Sequence, residues 1–193
     1  CDFDGNLMAS EIIVQNLKGP ASGSNANKII VPSGHTLSAA GHIIQTVIGP
    51  KFHTEAASTS SSFSVVSSSL AASITPKFAT SKIFVTCNIA NLMFWNGSAD
   101  ARNQLGISSD SGSTFVREFN SRIYDYGGSG IQSHYVACLQ CVDEPNSTNQ
   151  QTYNLYWKIQ AGNARINDDQ GTEGVSGTAG ACFTQFILQE IAQ

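Results

Sequence analysis

From Ala40 to the C-terminus, apolar and polar residues alternate in short runs separated by clusters of Ser, Thr, Asn, Gly and Pro. The clearest run is KIFVTCNIA, residues 82–90, where Ile83, Val85, Cys87 and Ile89 fall on one face of a two-residue repeat. It sits within LAASITPKFATSKIFVTCNIANLMF, residues 70–94, which alternates, halts over 76–80 and alternates again. FTQFILQEI, residues 183–191, repeats the theme less regularly. Segments 42–53, 62–75, 81–94, 114–124, 132–142, 151–160 and 181–191 are the candidate strands. Pro76 cannot donate to a ladder and suits a strand end, and DEPNSTNQQ, residues 143–151, gathers Pro and Asn into an exposed turn. No segment repeats apolar residues at i, i+3, i+4 and i+7 over three turns; ADARNQLG, residues 99–106, holds one turn of helix at most. Seven or eight strands at this spacing predict an all-β fold, an antiparallel β-sandwich.

Residues 1–39 have another pattern. Two apolar bursts, Ile12, Ile13 and Val14, then Ile29, Ile30 and Val31, flank the small polar string PASGSNAN. Two such bursts cannot bury themselves, since an isolated hairpin is marginal in water. They are candidate attachment residues that pair with further copies of the chain or with another protein. The expected organisation is therefore an N-terminal attachment and oligomerisation segment over 1–39 and a sandwich domain over 40–193. CDFDGNL is unlike the rest of the chain, and Met8 reads as a natural start.

Composition narrows the function. The 193 residues are 41% hydrophobic, enough for one sizeable core. Only 12% are charged, against about 25% in an average globular chain, so the surface carries mostly hydroxyl and amide groups. Net charge is -4 and the ten Lys and Arg residues are scattered, which argues against nucleic acid as a partner. No apolar run approaches the roughly 18 residues of a membrane helix, and the first twenty residues lack the order of a signal peptide. A soluble protein, not inserted in a membrane or exported by the usual route, is the expectation.

Five cysteines, Cys1, Cys87, Cys138, Cys141 and Cys182, are an odd number in a domain that needs no covalent staples, so free thiols are expected. Cys138 and Cys141 form a lone C-x-x-C without the second pair that zinc requires, and in a strand they point to opposite faces. A buried apolar role is expected for most of the cysteines. The Asp2, Asp4, Gly5 start of a calcium loop lacks its closing Glu, and Asp168 and Asp169 read as turn residues. Neither a metal nor a cofactor is expected, and phosphate-cradling glycine motifs are absent from the sequence.

Catalysis has no motif to stand on. G-x-S-x-G is missing, and His35, His42, His53 and His134 have no carboxylate at a recurring offset. A non-enzymatic role is expected, with a sugar hydrolase as the remote alternative. The aromatic residues are more informative. Phe94, Tyr156 and Trp157 are expected in the core or a subunit interface, while Trp95 with Asn96, Tyr124 with Tyr126, and Asn146 in the 143–150 turn are candidate host-contact residues. An exposed Tyr or Trp beside amides suits sugar recognition through stacking and hydrogen bonds.

The order GHIIQTV, LAASITPKFATSKIFVTCNIA, VDEPNSTNQQTYNLYWKIQ and FILQEIA resembles small virion proteins of tailed bacteriophages, especially those of cyanobacteria and other aquatic bacteria. MASEIIVQNLKG, residues 8–19, resembles the opening of such fibre proteins. The resemblance implies a homotrimeric, jelly-roll-like knob with an extended N-terminal attachment segment bound to other virion proteins at the virion surface. Two roles are compatible with it: a tail-fibre adhesin touching a host surface glycan, or a decoration protein that clamps the capsid and works through residues 8–40. The long 161–181 segment departs from the pattern.

Overall fold

A computed structural model describes residues 21–24, 31, 35–36, 39–97, 100–124, 131–167 and 182–193. The chain divides into two compact units, Cys1–Leu37 and Ser38–Gln193. Of the attachment candidates, Val31 is described and is 41% exposed; Ile12, Ile13, Val14, Ile29 and Ile30 lie outside the described residues, as do Cys1, Asp2, Asp4, Tyr126, Asp168 and Asp169.

The second unit is all-β, and the described residues contain no helix. Its strands are β1 (Ile43–Ile48), β2 (Ala56–Ser58), β3 (Ser64–Val65), β4 (Ala71–Ile74), β5 (Lys82–Asn96), β6 (Asp100–Ser108), β7 (Arg117–Tyr124), β8 (Ile131–Asp143), β9 (Gln151–Ala161), β10 (Asn163–Ile166) and β11 (Thr184–Ile191). They form two antiparallel sheets. The first is organised on β5, which pairs with β8 along one edge from Ile83 to Asn96. Its other edge takes β11 against Lys82–Ile89 and β10 against Leu92–Trp95, with β1 outside β11 and β2 outside β10. The second sheet runs β3 and β4 end to end against β9, then β6, then β7.

Alternation explains why these sheets face each other. Ile83, Val85, Cys87 and Ile89 of β5 are all fully buried, as predicted from the period of two. A bulge between Ile89 and Leu92 inserts one residue relative to β8, so Leu92 and Phe94 regain the inner face. Phe186 and Leu188 of β11, and Leu139 and Cys141 of β8, continue the layer. Tyr153, Leu155, Trp157 and Ile159 of β9 with Leu105 and Ile107 of β6 supply the opposing layer of one core. Tyr153 Oη donates to Asp143 Oδ2 at 2.7 Å, tying the second sheet to the end of β8. Phe94, Tyr156 and Trp157 are buried, as the sequence indicated.

Several expectations are corrected. Of the segment 99–106, residues 100–106 are not a helical turn: they form most of β6, whose inner positions include Asn103, 2% exposed, and a polar residue on the core face breaks the pattern that alternation relies on. The segment 62–75 splits into β3 and β4, and 42–53 shortens to β1 and a single bridge from Phe52 to Thr184. The short strands β2 and β10 had no periodic signal. Burial does not hold for most of the described cysteines: Cys87 and Cys141 are buried, but Cys138 and Cys182 are exposed, and all four are free thiols.

Where β10 leaves the sheet and β11 enters it, Asn167 closes the gap. In a left-handed conformation (φ 54°) it donates Nδ2 to the carbonyls of Phe52 (2.7 Å) and Thr54 (3.2 Å) and accepts at Oδ1 from the Thr184 hydroxyl (2.9 Å). Its buried amide thus replaces ladder bonds at the point where residues 168–181 intervene.

Candidate functional site

The outward face of β5 changes character along its length. Lys82, Phe84, Thr86 and Asn88 point outward in the first half; after the bulge, Met93 and Trp95 do so. Trp95 stands opposite Gln132 of β8 on one side and Asn163 of β10 on the other. Directly opposed residues bring their Cβ atoms to roughly 5 Å, so both amide side chains flank the indole. The indole remains 44% exposed. One rung further in, Met93 lies between His134 and Arg165 and is itself buried. His134 Nε2 lies 3.0 Å from Gln132 Nε2, and its Nδ1 lies 3.2 Å from Asn91 Oδ1, so Asn91, His134 and Gln132 form a polar chain leading to the indole.

The local sequence dictates this placement. Gly162 links β9 to β10 at φ +88°, a conformation that glycine tolerates, and a Cβ there would overlap the Trp95 carbonyl. The absence of a side chain at 162 lets Asn163 reach its position beside Trp95. The Asn96 side-chain amide donates to the Asp100 carbonyl, so Asn96 braces the β5–β6 turn. On the outer face of the second sheet at this same end, Asp100 binds Arg102 (2.7 Å) and Arg122 (3.0 Å). The hydrogen bond from Arg122 and the paired charges hold its carboxyl below the ordinary carboxylate range.

The structure brings together some of the residues singled out from sequence and separates others. Trp95, Asn96 and Tyr124, whose Cα partner is Asp100, share one end of the sandwich. Asn146 does not join them. It comes after β8 at the opposite end, near the Ile83 to Asp143 pairing, and adopts a left-handed turn (φ 49°) in which its side-chain amide donates to the Glu144 carbonyl at 2.9 Å. The β5–β8 ladder runs from Ile83 to Asn96 at about 3.3 Å per residue, placing these ends on the order of 40 Å apart. Gln132, His134, Asn163 and Asn91 were not singled out from sequence. Only strand register puts them beside Trp95, and one chain's sequence carries no signal for which residues face each other across a ladder.

This surface suits binding through stacking and hydrogen bonds. Among the described residues, no group of three or more His, Cys, Asp or Glu side chains is arranged to hold a metal ion, and no helix is long and apolar enough to cross a membrane. No protein-family model matches the chain, and no curated protein matches it in sequence.

Proposed function

We propose that this chain is a non-enzymatic structural protein of a tailed-phage virion: a homotrimeric surface knob of tail-fibre type that contacts a host surface glycan. The observation that carries the reading is the exposed Trp95 between Gln132 and Asn163, at the end of the sandwich remote from where the chain enters it. Entry is at the other end, where the Gly41 amide donates to the Ala192 carbonyl at 2.8 Å and β1 begins beside Ile191. A knob fastened through its N-terminal segment would hold the indole away from the particle.

The order of strands supports a jelly roll. The eight principal strands divide as β1, β11, β5, β8 and β4, β9, β6, β7, the alternation between sheets that two nested Greek keys produce. A ring of copies agrees with the distribution of charge. Arg102, Glu118, Arg122 and Lys158 lie on the outer face of the second sheet, while the outward strand positions of β1, β11, β5 and β8 between Lys82 and Arg165 carry no Asp, Glu, Lys or Arg among the described residues, and Lys51 lies over Phe183 just beyond β1. Charge is depleted where copies pack.

The test is binding of the full chain to polysaccharide purified from the host envelope, with Trp95→Ala as comparison. Loss of about tenfold or more in affinity, with unfolding unchanged, is the expected result. Equal binding by the variant removes Trp95 from the site. Gold-labelled antibody on intact particles separates the two virion roles: label at the tail tip agrees with adhesion, and label over the head favours capsid decoration.

A further inference from the structure

The two sheets part along one side, between β7 and β8. Both are edge strands, and an open recess of about 270 Å³ lies between them. Its walls are apolar, with Leu92, Phe94, Leu105, Phe119, Tyr135 and Leu139 the main contributors. Phe119, Tyr135 and Ala137 are inward-facing residues packed on the core yet only partly buried, because no neighbouring strand covers them. The Tyr135 hydroxyl is shielded from solvent without a partner. Val136 stands at the rim and is 82% exposed, the most exposed of the large apolar side chains among the described residues.

The opposite edge of the first sheet presents exposed apolar side chains instead. Ile48 of β1 is 65% exposed and Ile43 is 46% exposed; both point outward, opposite Ile187 and Ile191 of β11. Between that edge and the recess, the outward strand positions Thr46, Ile187, Phe84, Thr86 and Val142 are uncharged, the last 50% exposed.

We infer that the occupant of the recess is a second copy of this chain, whose Ile48 edge packs into the β7–β8 seam over Val136. The inference rests on the homotrimer proposed above. Three observations favour this occupant. The two patches are unlike, one an edge of exposed isoleucines and one a recess, and they lie on opposite edges of one sheet. Such a pair makes a head-to-tail contact, which closes into a ring when the rotation per copy allows. The residues that line the recess are uncharged, as are Ile43, Ile48 and the Ile187 and Ile191 opposite them, so this contact buries no ionised group while Arg117 and Lys51 stay at its margins. Closure would also cover the free edges of β7 and β8, the edges that otherwise remain open to chance strand pairing. A soluble apolar ligand would explain the recess but not the apolar edge on the far side.

Sedimentation of the full chain tests it, with Val136→Asp and Ile48→Asp as variants and Lys158→Asp, on the outer face of the second sheet, as control. Both target residues are exposed, so a retained unfolding midpoint will show that the subunit still folds. The expected result is a species of three times the 20.5 kDa chain for wild type and control, and subunit affinity weakened by about tenfold or more in each of the two variants. A trimer that persists undiminished in either variant overturns the proposed contact while leaving the trimer in place. A wild-type protein that sediments as a monomer overturns both.

Discussion

Glu190 closes the turn that precedes the longest strand. Its Oε1 accepts from the backbone amides of Lys77 (2.7 Å) and Phe78 (3.3 Å), and its Oε2 accepts from Gln45 Nε2 at 2.6 Å. Gln45 Nε2 also donates to the Thr75 carbonyl at 2.7 Å. The Glu190 side chain is fully buried between β11 and the 75–81 turn. Two phrases far apart in the chain, ITPKF and LQEI, are thus one physical unit: Pro76 ends β4, and the next two amides find their acceptor on the last strand.

Removing that acceptor leaves two part-buried turn amides without their carboxylate partner. Glu190→Ala is expected to cost about 2–3 kcal/mol in urea unfolding, and Glu190→Gln, which keeps one oxygen, less than that. A loss under about 0.5 kcal/mol for Glu190→Ala would show that water satisfies the turn instead.

How much of this was legible depended on where the polar residues fell. The strand with clean alternation, β5, was read from Ile83 to Ile89 with its inner face correct, because one apolar residue in two is a direct image of the pleat. In β6, Asn103 occupies an inner position, and neither its Nδ2 nor its Oδ1 has a hydrogen-bond partner, so the same rule failed there. Trp95 was picked out by its type and its turn, yet its flanking Gln132 and Asn163 depend on register. Register is set by pairing over long sequence separations, which local pattern does not encode.

The β6–β7 turn predicts an acid sensitivity. Asp110 accepts from the Thr114 amide (2.9 Å), the Thr114 hydroxyl (2.7 Å) and the Ser108 hydroxyl (2.7 Å). Led by the Thr114 backbone bond, these hold its carboxyl down at about 2, from an ordinary value of 3.8. The folded state therefore binds the proton more weakly than the unfolded chain. The turn's contribution is fully present above about pH 4 and is lost as pH falls through about 2. Unfolding midpoints measured from pH 5 to pH 2 should fall less steeply for Asp110→Asn than for wild type; parallel curves would exclude Asp110 as a source of the acid loss.

The cysteines offer a test of burial that needs no substitution. Burial pushes the Cys87 thiol far up, and burial with the neighbouring Asp143 charge raises Cys141 to about 11. Thiolate is the reactive form, so both should resist a thiol reagent at pH 8 in the folded protein, while exposed Cys138 and Cys182 react. Peptide mapping after brief labelling checks this. Rapid modification of Cys87 would contradict the packing of β5 against β9 and β6.

Two glycines separate stability from binding. Gly162 and Gly112 have φ of +88° and +84°, where an L side chain is strained. A Cβ at Gly112 would lie 2.8 Å from the Tyr156 ring, on the outer face of the second sheet; one at Gly162 would meet the Trp95 carbonyl and lie 2.8 Å from Asn96 Cβ. Each alanine substitution should cost roughly 1–3 kcal/mol by the same backbone mechanism. Only Gly162→Ala shifts the strand that carries the indole, so it alone should weaken glycan binding when both variants are measured below their unfolding temperatures. Equal binding by the two would mean that the position of Trp95 relative to Asn163 does not govern recognition, and the amide-flanked indole would lose its part in the proposed contact with the host.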